Sequence, residues 1–288
     1  MTKTSCTSRV SPPCRPFLRW AGSKRSVLPH LKQFVPSDYR RYIEPFAGSA
    51  CFFFDLEPAR AVLGDLNQDL IQTFATVRES PKRVASLLAR MEKGEKAYYR
   101  IRAENPARLS QLRRAARFIY LNRFCFNGLY RTNIRGGFNV PFGRPKSASV
   151  PGADDLGRCA DLLKRTALVA GDFEAVVKEF VKSGDLVYLD PPFFQRKRRM
   201  FRQYTAHPFS DCDLKRLGAL LKFLDRLGAT FIVSYAFCPE ALATFAAWPK
   251  YRIRTQRNIS GFADHRKIAT ELVFSNSTAR PGLHAGHA

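Results

Sequence analysis

The sequence predicts an α/β protein: a mostly parallel, twisted sheet with helices on both faces, an antiparallel C-terminal strand and an inserted helical domain. Three observations predict it. Short apolar runs recur with helical segments between most of them, the alternation lapses between Asp65 and Ala167, and the last two runs lie close enough to pair with each other. Alternating strands and helices build a parallel sheet. A lapse of about a hundred residues is too long for a crossover within such a sheet, so it reads as an insertion.

Taken in order, residues 1–15 are rich in Ser and Pro and are expected to be disordered. The first strand is Tyr42–Phe46, followed by a tight turn at Gly48 and a helix start near Ser49-Ala50. Glycine permits close backbone approach, and a helix N-terminus supplies N–H donors. The second run, Ala61–Gly64, ends on Asp65. Pro81 divides the helical material that follows. Gln111–Arg123 reads as a helix with Leu112, Ala115, Ala116, Ile119 and Tyr120 on one face, and Arg113, Arg114 and Arg117 off it. The third run, Ala167–Ala170, leads into Gly171-Asp172-Phe173. The fourth, Leu186–Leu189, leads into Asp190-Pro191-Pro192-Phe193. Thr230–Val233, Tyr251–Arg254 and Thr270–Phe274 complete the sheet. Residues 16–66 and 155–275 would form the sheet domain, 67–154 the insertion and 276–288 a disordered tail.

The chain of 288 residues carries 48 Lys+Arg against 24 Asp+Glu, a net charge of +24. A field of that sign suits a polyanion, either nucleic acid or an anionic membrane face. No apolar stretch approaches the roughly 18 residues of a membrane span, and the N-terminus lacks the apolar block of a secretory signal. A cytoplasmic monomer is expected. Seven cysteines without a C-x-x-C pair imply reduced thiols, with neither a disulfide frame nor a metal site.

The charge is unevenly spread. From Asn105 to Ala153 there is no Asp or Glu, while Arg108, Arg113, Arg114, Arg117, Arg123, Arg131, Arg135, Arg144 and Lys146 all fall there. A second cluster, Arg196-Lys197-Arg198-Arg199 with Arg202, follows the fourth run. The acid-free segment also carries Tyr120, Phe124, Phe126, Tyr130, Phe138 and Phe142, with Asn122, Asn127, Asn133 and Asn139. Cations for phosphates, aromatics for stacking and amides for base edges predict a nucleic-acid surface rather than a merely solvated face.

Asp190-Pro191-Pro192-Phe193 is either a strand end with a Pro-Pro turn or a group that holds an exocyclic amine. The carboxylate only accepts hydrogen bonds, proline offers a carbonyl without a competing N–H, and Phe193 offers a stacking face. Around Gly48 the three-glycine dinucleotide fingerprint is absent, which disfavours NAD. A carboxylate at Asp65 suits ribose hydroxyls, and Asp172-Phe173 would edge an adenine ring. These strand-end groups converge where ligands bind in open α/β sheets.

With those residues set out, the chain resembles a DNA adenine-N6 methyltransferase of the Dam type (D12 class), in which cofactor motif, recognition insertion and D-P-P-Y follow in that order. Phe17-Leu18-Arg19-Trp20-Ala21-Gly22-Ser23-Lys24 resembles that family's F-L-K/R-W-A-G-G-K. Leu121-Asn122-Arg123, Asn127-Gly128-Leu129, Arg131, Asn133 and Phe138–Arg144 resemble its recognition segment, and Ser260, Arg266-Lys267 and Glu271 a later block. The resemblance implies the S-adenosylmethionine-dependent methyltransferase fold. It implies cofactor contacts from Trp20, Ala21, Gly22, Lys24, Phe46, Gly48, Asp65, Asp172, Phe173 and Asp190. Catalysis would fall to Asp190, Pro191, Pro192 and Phe193. Double-stranded DNA would meet Arg19, Arg123, Phe126, Asn127, Leu129, Arg131, Asn133, Pro141 and Arg144, with Phe126 filling the gap left by a flipped base and Arg131 reading guanine. The implied site is GATC. The chain departs from the family at Ala50, Pro145 and Phe193. Methylation of cytosine N4 or of RNA adenine, or a catalytically weak DNA-binding regulator on the same scaffold, are the alternatives.

Overall fold

The computed structural model describes residues 13–133, 136–145, 149–192, 209–256 and 268–278. Of the expected disordered ends at 1–15 and 276–288, residues 1–12 and 279–288 lie outside the described residues, as do Phe193, the Arg196–Arg202 cluster, Ser260 and Arg266-Lys267.

Seven strands form one sheet: β1 (Tyr42–Glu44), β2 (Ala61–Asp65), β3 (Thr166–Ala170), β4 (Leu186–Leu189), β5 (Thr230–Ala236), β6 (Lys250–Gln256) and β7 (Ile268–Ser275). Their spatial order is β3-β2-β1-β4-β5-β7-β6. The first five pair in parallel, and β7 runs antiparallel to both β5 and β6. All seven expected strands are present, within a few residues of the expected bounds. The chain progression reverses between β1 and β4, so the crevice beyond their C-terminal ends is the switch point at which such sheets hold ligands.

The helices are α1 (Leu28–Leu31), α2 (Cys51–Leu56), α3 (Gln68–Glu79), α4 (Pro81–Arg90), α5 (Glu95–Ala103), α6 (Gln111–Phe124), α7 (Ala153–Leu163), α8 (Phe173–Phe180), α9 (Asp211–Leu227) and α10 (Pro239–Thr244). Pro81 does separate α3 from α4, at the first position of the new helix, where its missing N–H costs nothing. Side chains alternate across each strand. Ile43, Val62, Val187, Phe231 and Val233 pack with Val176, Leu217 and Leu221 of α8 and α9. Tyr42, Leu63, Tyr188 and Ile232 join Phe52, Leu70, Phe74 and Leu156 on the other face. Burial on both faces explains why the strands read as unbroken apolar runs.

Helices α3 to α6 occupy the stretch where strand alternation lapses. α3 packs on β2 and β3 as well as on α6, so these helices share one continuous core with the sheet face beneath them.

Candidate active site

β4 ends in Leu189, which pairs with Val233 of β5. Continuing that register by one residue sets Asp190 beside Ser234, and the Ser234 hydroxyl donates to Asp190 Oδ1 at 3.1 Å. Tyr188 shares a 2.9 Å hydrogen bond with the same serine. From the segment before α1, Lys24 reaches in with Nζ 2.9 Å from Asp190 Oδ1 and 2.7 Å from Glu271 Oε1 of β7. Lys24 is almost fully buried, while the Asp190 side chain keeps 21% of its surface exposed.

Burial pushes the Asp190 carboxyl up, Lys24 pulls it down and Glu271 pushes it up again, leaving it at about 6. Burial alone would lower Lys24, but Asp190 and Glu271 together raise it above the ordinary lysine value, so it stays charged. Glu44, at the end of β1, is buried beneath this group and accepts from the Tyr42 hydroxyl at 2.9 Å. Burial holds its carboxyl well above the usual range. Among the described residues one cation, Lys24, faces two carboxylates, Asp190 and Glu271, an arrangement suited to a further positive charge.

Asp65 ends β2 and accepts from the backbone N–H of Gly48 at 3.0 Å and of Asn67 at 2.9 Å. Gly48 is required sterically: a Cβ there would sit 2.8 Å from Trp20 Cδ1, and φ is +48°. Trp20 therefore lies against the turn, and its other face stacks on Tyr130 at 5.9 Å. Ala21 and Gly22 form the exposed turn that leads to Lys24, with Ser23 N–H bonded to Trp20 O at 3.0 Å. Phe46 stacks on Phe173 at 5.1 Å. Asp172 caps α8 through Glu174 N–H and is ion-paired with Arg216, whose guanidinium also lies over Phe173. Its carboxylate is thus engaged by the protein. Pro191 is buried and Pro192 exposed.

The recognition segment divides sharply. Arg19, Phe126, Asn127, Asn133, Pro141 and Arg144 are exposed, and Arg123, Leu129 and Arg131 are half-buried. Phe126, at 40%, is one of four large exposed apolar side chains among the described residues. Asn127 and Arg144 hold left-handed backbones, φ +53° and +44°, a conformation that few non-glycine residues adopt. Arg131 Nε donates to Asn139 Oδ1 at 2.7 Å and Nη2 to Asn139 O at 3.4 Å. That occupies one edge of the guanidinium and leaves its Nη1 end. Arg123 Nε donates to Ser149 O at 2.9 Å, and Asn133 Oδ1 accepts from Gly137 N–H at 2.9 Å.

Other residues of the expected nucleic-acid surface are not on it. Arg117 is buried and donates to Ile101 O at 2.9 Å and Arg102 O at 2.7 Å, closing the C-terminal end of α5. Tyr120 and Phe124 stack on each other within the core. Asn122 is 2% exposed, and its amide brackets the Arg19 backbone, donating from Nδ2 to Arg19 O at 2.6 Å and accepting Arg19 N–H at 2.8 Å. These corrections share a cause: α6 is enclosed on nearly all sides, so its polar residues serve the backbones around it.

Sequence reading did not single out Ser234, Tyr188 or Glu44. Only strand register brings Ser234 to Tyr188 and Asp190, and no local pattern carries register.

The parallel sheet with its antiparallel β7 and its acid-lined switch point is the architecture of the S-adenosylmethionine-dependent methyltransferases. The chain belongs to the D12 class N6 adenine-specific DNA methyltransferase family, which it matches over residues 20–259. It is similar to the type II methyltransferase M1.LlaDCHI of Lactococcus lactis subsp. cremoris, at 33% identity, covering 91% of this chain and 95% of that protein. It is also similar to the type II methyltransferase M.MjaIII of Methanocaldococcus jannaschii, at 34% identity over 77% and 84% of the two chains. A DNA adenine methylase of Haemophilus influenzae is 29% identical over 90% and 92%. The enzyme is accordingly a DNA methyltransferase specific for adenine.

Proposed function

We propose that the enzyme takes its methyl group from S-adenosylmethionine and delivers it to N6 of an adenine flipped out of duplex DNA, within GATC, acting in the cytoplasm as a monomer. The observation that carries this reading is Asp190: a mostly buried carboxylate at the switch point, with Lys24 and Ser234 both on Oδ1 and Oδ2 left for a substrate amine.

The residues present fit the cofactor. Asp65 keeps lone pairs beyond its two backbone donors, as a ribose diol requires, and Phe46 with Phe173 offers an aromatic wall. The acid excess around Lys24 suits a sulfonium. When bound, S-adenosylmethionine supplies the electrophilic methyl. Because Asp172 is already engaged by Arg216 and its own helix, its part would be to hold Phe173 in place.

The adenine N6 lone pair is delocalised into the ring. Hydrogen bonds from the amine to Asp190 Oδ2 and the Pro191 carbonyl draw the nitrogen toward tetrahedral geometry and offset the positive charge that develops on attack. Lys24 and Ser234 keep that carboxylate oriented, an effect of proximity. Extruding the base costs a few kcal/mol, which insertion of the exposed Phe126 and stacking on Phe193 would offset. Residues 67–154 would act as the recognition insertion, with Arg131 presenting its free guanidinium end to guanine.

DNA from cells expressing the enzyme, digested with endonucleases blocked by or dependent on adenine methylation at GATC, tests the reading. Protection from the blocked endonucleases and cleavage by the dependent ones are expected. Methylation at other sites with GATC untouched would remove the specificity while keeping the reaction.

A further inference from the structure

We infer that Ser234 is a positioning residue for methyl transfer: its hydroxyl, polarised by Tyr188, fixes the Asp190 carboxylate so that Oδ2 faces the incoming amine. The inference rests on Asp190 being the group that holds that amine.

Ser234 is 0% exposed and lies on β5, which pairs directly with β4. Its oxygen stands between two partners, with Asp190 Oδ1 at 3.1 Å and the Tyr188 hydroxyl at 2.9 Å. An ionised carboxylate only accepts, so the serine proton goes to Asp190, and the Tyr188 proton then goes to the serine oxygen. The relay points toward Asp190. Lys24 Nζ also lies on Oδ1, at 2.9 Å, so two donors hold one carboxylate oxygen. A planar carboxylate with one oxygen held by two donors has its second oxygen fixed in direction. A serine here merely satisfying its own burial would need only one of these partners.

The arrangement also makes a titration readout available. Asp190 is faced by Lys24, by Glu271 on β7, Tyr188 on its own strand and Glu44 on β1, and by Cys51 at the start of α2. The Ser234 hydrogen bond favours the ionised form of Asp190. Losing it leaves Lys24 as the remaining donor and moves ionisation of Asp190 to higher pH.

The full-length enzyme is assayed for transfer of labelled methyl from S-adenosylmethionine to a GATC duplex between pH 5 and 8.5. For Ser234→Ala we expect kcat to fall about 10- to 100-fold, the scale of a lost hydrogen bond to a charged group. KM for both substrates should change less than about twofold, as befits an interaction that matters in the transition state, and the acid limb should move to higher pH. Ser234→Thr, which keeps the hydroxyl, should return the acid limb to its original position. Tyr188→Phe should shift the limb in the same direction by a smaller amount, and it carries the test if Ser234→Ala does not fold. An unchanged kcat and acid limb in Ser234→Ala, or in Tyr188→Phe where that variant stands in, overturns the inference. So does a limb that Ser234→Thr leaves displaced. Asp190→Ala run beside them separates the two levels. If it stays active, the amine-holding role itself fails; if it is inactive while Ser234→Ala behaves normally, only the positioning role fails.

Discussion

The crevice at the strand ends and the recognition segment around α6 handle charge in opposite ways. In the crevice, Lys24, Asp190 and Glu271 are drawn together within 3 Å and largely withdrawn from water. In the recognition segment, Arg19 and Arg144 stand in solvent while Arg117, on the helix that leads to exposed Phe126 and Asn127, is spent on backbone carbonyls. Paired, buried charges aim one atom with precision and tolerate little change. Exposed ones are held in reserve for a polyanion and can be lost singly at modest cost. Asn122 joins the regions, since its amide holds the backbone of Arg19, immediately before the Trp20-Ala21-Gly22-Ser23-Lys24 segment that ends at the crevice. Gly128 packs against the same arginine, where a Cβ would come within 2.8 Å of Arg19 Cβ.

The largest expected effect lies in the crevice. Asp190→Ala should abolish methyl transfer while the affinity for a GATC duplex stays near that of the unaltered enzyme, because the carboxylate meets the amine and not the phosphates. Single-turnover transfer and fluorescence anisotropy on the same preparation measure both. Ordinary turnover by the variant would end the proposed mechanism.

Two arginines of the recognition segment sharpen the contrast. Arg117→Ala takes the guanidinium from the carbonyls of Ile101 and Arg102, and should cost about 2–4 kcal/mol of folding stability with unaltered sequence preference in what remains folded. Arg131→Ala should leave the thermal midpoint close to that of the parent and reduce discrimination at one guanine by about 1–3 kcal/mol. Denaturant unfolding and competition between duplexes with single base replacements distinguish them. A specificity change in Arg117→Ala would put that residue back on the DNA surface.

A pH series probes the crevice without mutation. Asp190 in the folded enzyme ionises at about 6, raised from 3.8, so the native state holds this proton more tightly than the unfolded chain does. Its contribution to stability is complete below about pH 4, the unfolded value, and is lost as pH rises through 6. Activity requires the ionised form and should rise over the same window. The two profiles are expected to run in opposite directions there. A kcat that is flat down to pH 5 would mean that Asp190 ionises normally.

The two regions were also unequally legible from sequence. The central strands β1, β2, β4 and β5 could be read because they are buried on both faces and so appear as unbroken apolar runs. Asp65 and Asp190 could be read because a charge ending such a run has nowhere to be but the crevice. Ser234 was out of reach, since its meeting with Asp190 and with Tyr188 depends on how β4 pairs with β5, contacts across 44 and 46 residues of chain. In α6 the failure had another origin. Phe118, Ile119, Tyr120, Leu121 and Asn122 are consecutive and all buried, so no single helical face separates core from surface, and an amide or guanidinium there gives no sign of which way it points. Local periodicity finds an element when one side of it is wet.

The smallest effect belongs to the most exposed charge of the segment. Arg144 is 80% exposed and only loosely paired with Glu95, at 3.5 Å, so its removal should leave folding, kcat and site preference where they were. If it meets a phosphate, Arg144→Ala weakens binding to every duplex by a similar factor and lowers the slope of log affinity against log salt by about 1. Equilibrium titrations at several salt concentrations, on GATC and non-GATC duplexes alike, read that slope. A loss confined to GATC would move Arg144 from the phosphates to a base edge, and would make the exposed half of the recognition segment more discriminating than its solvent-facing charges suggest.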